Sequence, residues 1–132
     1  MKAFGATDVT HLLTVQDVGR SRDWYVNVLG AELYREYGRT TVVLKLMGSW
    51  VLLVMGGGPT EDKPDVTFIP PEDPTRVSRE TIFRVDDCRA AYETLRSRGA
   101  EFLTPPVDHG HEVRAFFRDP DGYLFEISEL VS

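Results

Sequence analysis

VTHLLTVQDVGRSRDWYVNVLGAEL, residues 9–33, changes its hydrophobic period once. From Val9 to Gln16 the residues alternate, with Val9, His11, Leu13 and Val15 on one side and Thr10, Leu12, Thr14 and Gln16 on the other, which predicts a strand. Asp17 is a good helix N-cap, and Val18, Ser21, Tyr25 and Val28/Leu29 follow at helical spacing. Gly30 closes the helix, since glycine accepts the left-handed geometry a C-terminal cap needs. Working outward, residues 31–36, 41–47 and 50–55 read as three strands, the last two joined by a turn at Gly48-Ser49. The pattern over residues 7–57 is β-α-β-β-β.

TIFRVDDCRAAYETLRSRGAEF, residues 81–102, writes the opening again. Residues 81–85 predict a strand, Asp86-Asp87 a cap, and Cys88, Ala91, Tyr92 and Leu95 a helical stripe ended by Gly99. Asp17 matches Asp87 and Ser21 matches Ala91 at an offset of 70, whereas Gly30-Ala31-Glu32-Leu33 matches Gly99-Ala100-Glu101-Phe102 at 69. The second helix is therefore expected to be one residue shorter. Residues 112–118 and 123–129 supply two strands around Asp119-Pro120-Asp121-Gly122. Cap, stripe and closing glycine recur in order, which points to duplication of one unit. Residues 58–78 form the linker: Gly56-Gly57-Gly58 leads into it, and Pro59, Pro64, Pro70, Pro71 and Pro74 break it, leaving room for one edge strand at 66–69. The expected fold is α+β, a single domain over 1–132 in which βαβββ modules at 7–57 and 79–130 form a partly closed, eight-stranded, barrel-like sheet. The helices lie outside, and a small molecule fits the hollow between modules.

Fifteen Lys+Arg against 21 Asp+Glu leave a net charge of −6, which argues against nucleic acid or an anionic membrane as partner. The lone Cys88 allows neither an internal disulfide nor a cysteine zinc site, and reads as buried packing. Residues 1–8 lack the apolar core of a secretory leader, and the longest apolar run, 50–55, is too short to cross a bilayer. A soluble, cytoplasmic protein is expected. Gly56-Gly57-Gly58 lacks the Lys-Ser/Thr and helix of a phosphate loop.

Asp17, Ser21, Trp24-Tyr25 and Val28-Leu29-Gly30 together resemble the first-helix signature of the vicinal oxygen chelate superfamily: glyoxalase I, extradiol dioxygenases and bleomycin-resistance proteins. Asp119 to Ile127 resembles its final hairpin, and Val85-Asp86-Asp87 with Ala90-Ala91 and Gly99 its second opening. The resemblance implies a homodimer and a divalent metal held by the concave sheet. One ligand comes from each opening strand and a Glu from the closing strand, and the metal acts as a Lewis acid on two neighbouring oxygens.

Carried over, Glu126 occupies the terminal ligand position and is a candidate catalytic group. The first opening-strand position, seven before Asp17, is Thr10; His11 is one step away, on the other face unless a bulge turns it inward. The second opening position is Glu80, which with Glu126 would favour a hard ion. Leu52, the counterpart of Glu126, cannot bind metal. His109 or His111 in Asp108-His109-Gly110-His111 would supply a further ligand or a general base. Arg114 would grip an anionic oxygen, and Phe116, Trp50 and Tyr123 would contact the bound molecule. Two functions follow: a metal-dependent lyase or dioxygenase acting on a small oxygenated molecule, or a metal-free protein that sequesters a drug or antibiotic.

Overall fold

The computed structural model describes residues 4–131; Met1, Lys2 and Ala3, part of the stretch weighed as a leader, lie outside them. The chain forms two compact units that divide between Pro70 and Pro71, inside the linker. In the first, β1 (Thr10–Val15), α1 (Val18–Asn27), β2 (Glu32–Tyr37), β3 (Thr41–Leu46) and β4 (Ser49–Met55) make a sheet of order β1-β4-β3-β2. β1 runs parallel to β4, and the other pairs are antiparallel. In the second, β5 (Thr81–Arg84), α2 (Cys88–Ser97), β6 (Val107–Asp108), β7 (Glu112–Arg118) and β8 (Leu124–Leu130) repeat that topology as β5-β8-β7-β6. The third post-helical strand, β6, has only two residues, too few to show periodicity in sequence. The extra strand expected at 66–69 is a single bridge, Gly57 with Phe68.

The two strand-helix junctions match in detail. Asp17 Oδ1 accepts from the Arg20 amide and Asp87 Oδ1 from the Ala90 amide, each at 3.0 Å. Both helices run ten residues, so the expected shortening is not in the helix. It lies in the closing turn, where Val28-Leu29 is answered by Arg98 alone before a glycine of positive φ, Gly30 at 75° or Gly99 at 106°. Ala31 and Ala100, which follow, donate backbone hydrogen bonds to Tyr25 and Leu95 at 3.0 Å and are buried.

Register assigns the faces. Val15, Val42, Leu44, Val51 and Leu53 pack with Ser21 and Tyr25 of α1 and with Val28 at its C-cap to form the first core. The opposite, distal face carries Thr10, Leu12, Thr14, Val43, Lys45, Trp50, Leu52 and Val54. In the second unit a file of rings forms the core: Phe83 stacks on Phe125 at 5.7 Å, Phe125 on Phe117 at 5.5 Å, and Phe102 bridges Phe117 to Tyr92. Ala115, Val113, Ile127 and Cys88 complete it. Cys88 is buried as expected, its amide donating to Glu129 Oε1 at 2.9 Å, and burial pushes its thiol up.

A carboxyl pair on the second sheet as candidate functional site

Strict alternation along β5, β7 and β8 sends one residue in two to the α2 side and leaves the others on the distal face. Ile82 is opposite Glu126, Glu126 opposite Phe116, and Arg84 and Arg114 both opposite Ser128. Glu80, two residues before Ile82, shares this parity, and its carboxyl acts on that of Glu126.

Glu126 is only 3% exposed. Burial first, then the hydrogen bond and charge of Glu80, raise its pKa to about 7; Glu112 adds to the rise and Arg114 opposes it. Two ionised carboxylates have no donor between them, and Glu80 Oε2 is buried without a partner. A proton on Glu126, which its raised pKa favours, would supply the missing donor.

Glu112 has the opposite setting. Ser128 Oγ donates to its Oε2 at 2.5 Å, and Arg84 and Arg114 each place a guanidinium nitrogen 3.3 Å from its carboxylate. The Ser128 bond, helped by both arginines, holds Glu112 below the ordinary carboxylate range. Arg84 Nη1 also donates to Ser128 Oγ at 2.7 Å. Arg114 lies 5.5 Å over the Phe116 ring, a cation held against an aromatic face. One face thus holds Glu112, pushed down, and Glu126, pushed up to about 7, two acids whose surroundings drive them apart.

Of the residues singled out from sequence, Glu80, Arg114, Phe116 and Glu126 meet on this face. Tyr123 sits in the turn before β8, its amide bound to Asp119 Oδ1. His109 and His111 are exposed in the β6–β7 turn. Glu112, the first residue after that turn, is already about 13 Å along β7 from Phe116 at the usual rise per residue. His11 is registered with Val51 on the α1 side, while Thr10 and Leu52 take the distal face of the first sheet with Trp50. Glu112, Ser128 and Arg84 escaped the sequence reading; their signal was the parity they share with Arg114 and Glu126.

These donors fall short of a catalytic metal. Glu80 and Glu126 offer hard oxygens, but a catalytic ion takes about three protein ligands beside an open position. Among the described residues no three His, Cys, Asp or Glu side chains gather to hold an ion. Each unit also has a surface cleft, of about 480 Å³ beside Arg22 and Glu36 and about 490 Å³ beside Glu101 and Arg118, and neither is lined by Glu126 or Trp50.

Paired βαβββ units with a glutamate on the closing strand define the glyoxalase type of fold. The chain belongs to the Glyoxalase/Bleomycin resistance protein/Dioxygenase superfamily, whose family model matches residues 8–127. It is 30% identical to a lactoylglutathione lyase of Neisseria meningitidis serogroup A, over 92% of this chain and 88% of that one. A glyoxalase/bleomycin resistance protein/dioxygenase from Nocardioides shares the fold at a TM-score of 0.72 and 22% identity, over 99% of this chain and 87% of that one. TnmS3, an antibiotic binding protein from Streptomyces sp. CB03234, shares it at 0.68 and 19%, over 98% and 100%. Among the described residues no helix is long and apolar enough to cross a membrane.

Proposed function

We propose that this protein binds a small organic molecule on the distal face of the second sheet without a resident catalytic metal. The observation that carries this reading is the register of β1 and β4. Thr10 and Leu52, which the resemblance puts at the ligand positions of the first module, share its distal face, with His11 on the other face. Neither side chain is an imidazole or a carboxylate, which supports the metal-free reading.

The Glu80–Glu126 pair then acts as a hydrogen-bonding device. With one proton it offers an O–H donor and a carboxylate acceptor, which suits a ligand carrying adjacent donor and acceptor groups such as a hydroxy-ketone or an amide. An ammonium group would instead displace the proton and pair with both oxygens. Arg114, held against Phe116 and Glu112, gives a planar cation and a ring beside the pair. The description of TnmS3 as antibiotic binding supports a sequestering role for this fold.

The second reading is the lyase or dioxygenase, favoured by the partnerless Glu80 Oε2 and by the lactoylglutathione lyase relative. Elemental analysis after incubation with Ni, Mn, Fe or Zn separates the two. We expect no stoichiometric metal, and we expect ligands found by thermal shift to lose their effect in Glu126→Gln. A ligand at 100 times its Kd stabilises by about 2.7 kcal/mol, which a melting curve resolves. One tightly held ion per chain, lost in Glu126→Gln, would establish the metal enzyme instead.

A further inference from the structure

We propose that the cleft at the β7–β8 turn of the second unit binds an aryl-alkylammonium ion, with Phe102 and Leu103 taking the hydrocarbon body and Glu72 and Glu101 the charge. The site does not rest on the reading of the Glu80–Glu126 pair. Residues between 71 and 74, 101 and 103, and 118 and 122 line the cleft, and neither Glu80 nor Glu126 does. Within the same unit, Phe102 packs on the α2 side of the sheet and Glu126 lies on the distal side.

Three pieces of chain build the cleft. Residues 101–103 run antiparallel beside β7, where Phe102 bridges Phe117 and the Leu103 amide donates to the Phe116 carbonyl at 2.9 Å. The Phe102 ring is fixed by Tyr92 at 4.7 Å and Phe117 at 5.0 Å. Beyond β7 the chain turns at 119–122, and Asp119 Oδ1 accepts from the amides of Asp121 and Tyr123, each at 2.9 Å. Residues 71–74 form the third wall. Arg118 ties it to the turn, donating from Nη2 to the Pro74 carbonyl at 2.8 Å and from Nη1 to the Gly122 carbonyl at 3.4 Å. Pro71, Pro74 and Pro120 have a fixed φ, so these walls have little freedom to lose when a ligand is bound. The space of about 490 Å³ is within the range that holds small organic ligands.

The floor is apolar and the rim acidic. Leu103 is 52% exposed beside Phe102. Glu72, Glu101, Asp119 and Asp121 stand against one cation, Arg118, so the lining is net negative. Asp119 is buried and committed to the turn, whereas Glu72 and Glu101 are exposed. Among the described residues neither of these glutamates has an ion pair. An anion would be repelled. A metal ion is poorly served, because among the described residues no three His, Cys, Asp or Glu side chains gather to hold one. An ammonium on a short arm from a ring meets both features. The ring covers Phe102 and Leu103, and the charge reaches the glutamates of the rim.

Naphthylmethylammonium is a suitable probe, followed by backbone amide shifts. Naphthoate, methylammonium and calcium serve as controls for charge, hydrocarbon body and metal. The probe should shift amides of residues 101–103 and of the 119–122 turn, bind about tenfold more tightly than any control, and weaken as salt is raised. The exposed pair Glu72→Gln/Glu101→Gln should lose about that factor while keeping a native amide spectrum, and Glu126→Gln should bind the probe unchanged. Full affinity in the double variant, or no shift around the cleft, overturns the proposal. Calcium shifting the same amides as tightly would make the rim a metal site and overturn it. Loss of the probe in Glu126→Gln, with shifts confined to β8, would place the ammonium at the carboxyl pair and overturn it too.

Discussion

Glu126 keeps its proton to about pH 7 because it is buried and faces Glu80, whereas the same side chain in the unfolded chain ionises near 4.5. Between those values the folded state holds a proton that the unfolded state has lost. Stability therefore falls as pH rises through the window: the contribution is whole below about 4.5 and gone above about 7, and is on the order of 3 kcal/mol. Glu112, held low by Ser128 and two arginines, works in the opposite sense, but its loss is confined to more acid solution. In Glu126→Gln the amide can donate to the partnerless Glu80 oxygen without any proton, so the variant should fold. Urea denaturation at several pH values should show the wild-type midpoint declining across the window and the Glu126→Gln midpoint free of that decline; parallel curves would show that the pair shares no proton. The parity that puts Arg114 with Phe116 was legible in the sequence, as was His11 sharing a face with Leu13 and Val15. The network of Glu112, Ser128 and Arg84 was not, because Glu112 and Ser128 are sixteen residues apart and only the β7–β8 register joins them.

At the level of the element, the strand-helix junction is the most legible feature and the β-bulge between Leu33 and Arg35 of β2 the least. A cap is a local event: Asp17 and Asp87 bond amides three residues ahead, so the sequence holds all the information needed to place them. Their backbones agree to within a few degrees, φ −144° against −141° and ψ 105° against 101°. Asp17→Ala and Asp87→Ala should each lower stability by about 1 kcal/mol, measured as the shift of the urea midpoint at unchanged slope. A clear difference between the two would mean that the geometric match does not extend to energetics, and no loss at either would remove capping from the account of the fold. The β2 bulge depends on the partner strand, not on its own residues. Leu33-Tyr34-Arg35 alternates normally as written, and only pairing with β3 reveals that Tyr34 has no opposite number. β6 is hidden for a related reason, since two residues hold no period and its existence rests on Val107 meeting Arg114 and Asp108 meeting Val113.

Across the whole chain, one topology occurs twice and the two copies carry different chemistry. Repeated caps, stripes and glycines made both βαβββ units readable in advance, while the distal faces went separate ways, the first to Thr10, Trp50 and Leu52 and the second to Glu80, Arg114 and Glu126. Each unit also closes a hydrocarbon core of its own, around Tyr25, Leu44 and Leu53 in one and Phe117, Phe125 and Ile127 in the other. Domains that need a metal in order to fold are those whose ligands stand in for such a core, and chelators unfold them. Among the described residues the one buried side-chain oxygen without a partner is Glu80 Oε2, beside Glu126 and outside both cores. Treatment with EDTA should therefore leave the melting temperature unchanged to within about 1 °C, and millimolar Mn or Ni should not raise it, because a ligand stabilises only in proportion to its binding to the native state. A fall of several degrees on chelation, reversed by adding the metal back and absent in Glu126→Gln, would mean that the carboxyl pair holds a resident cation in place of its proton.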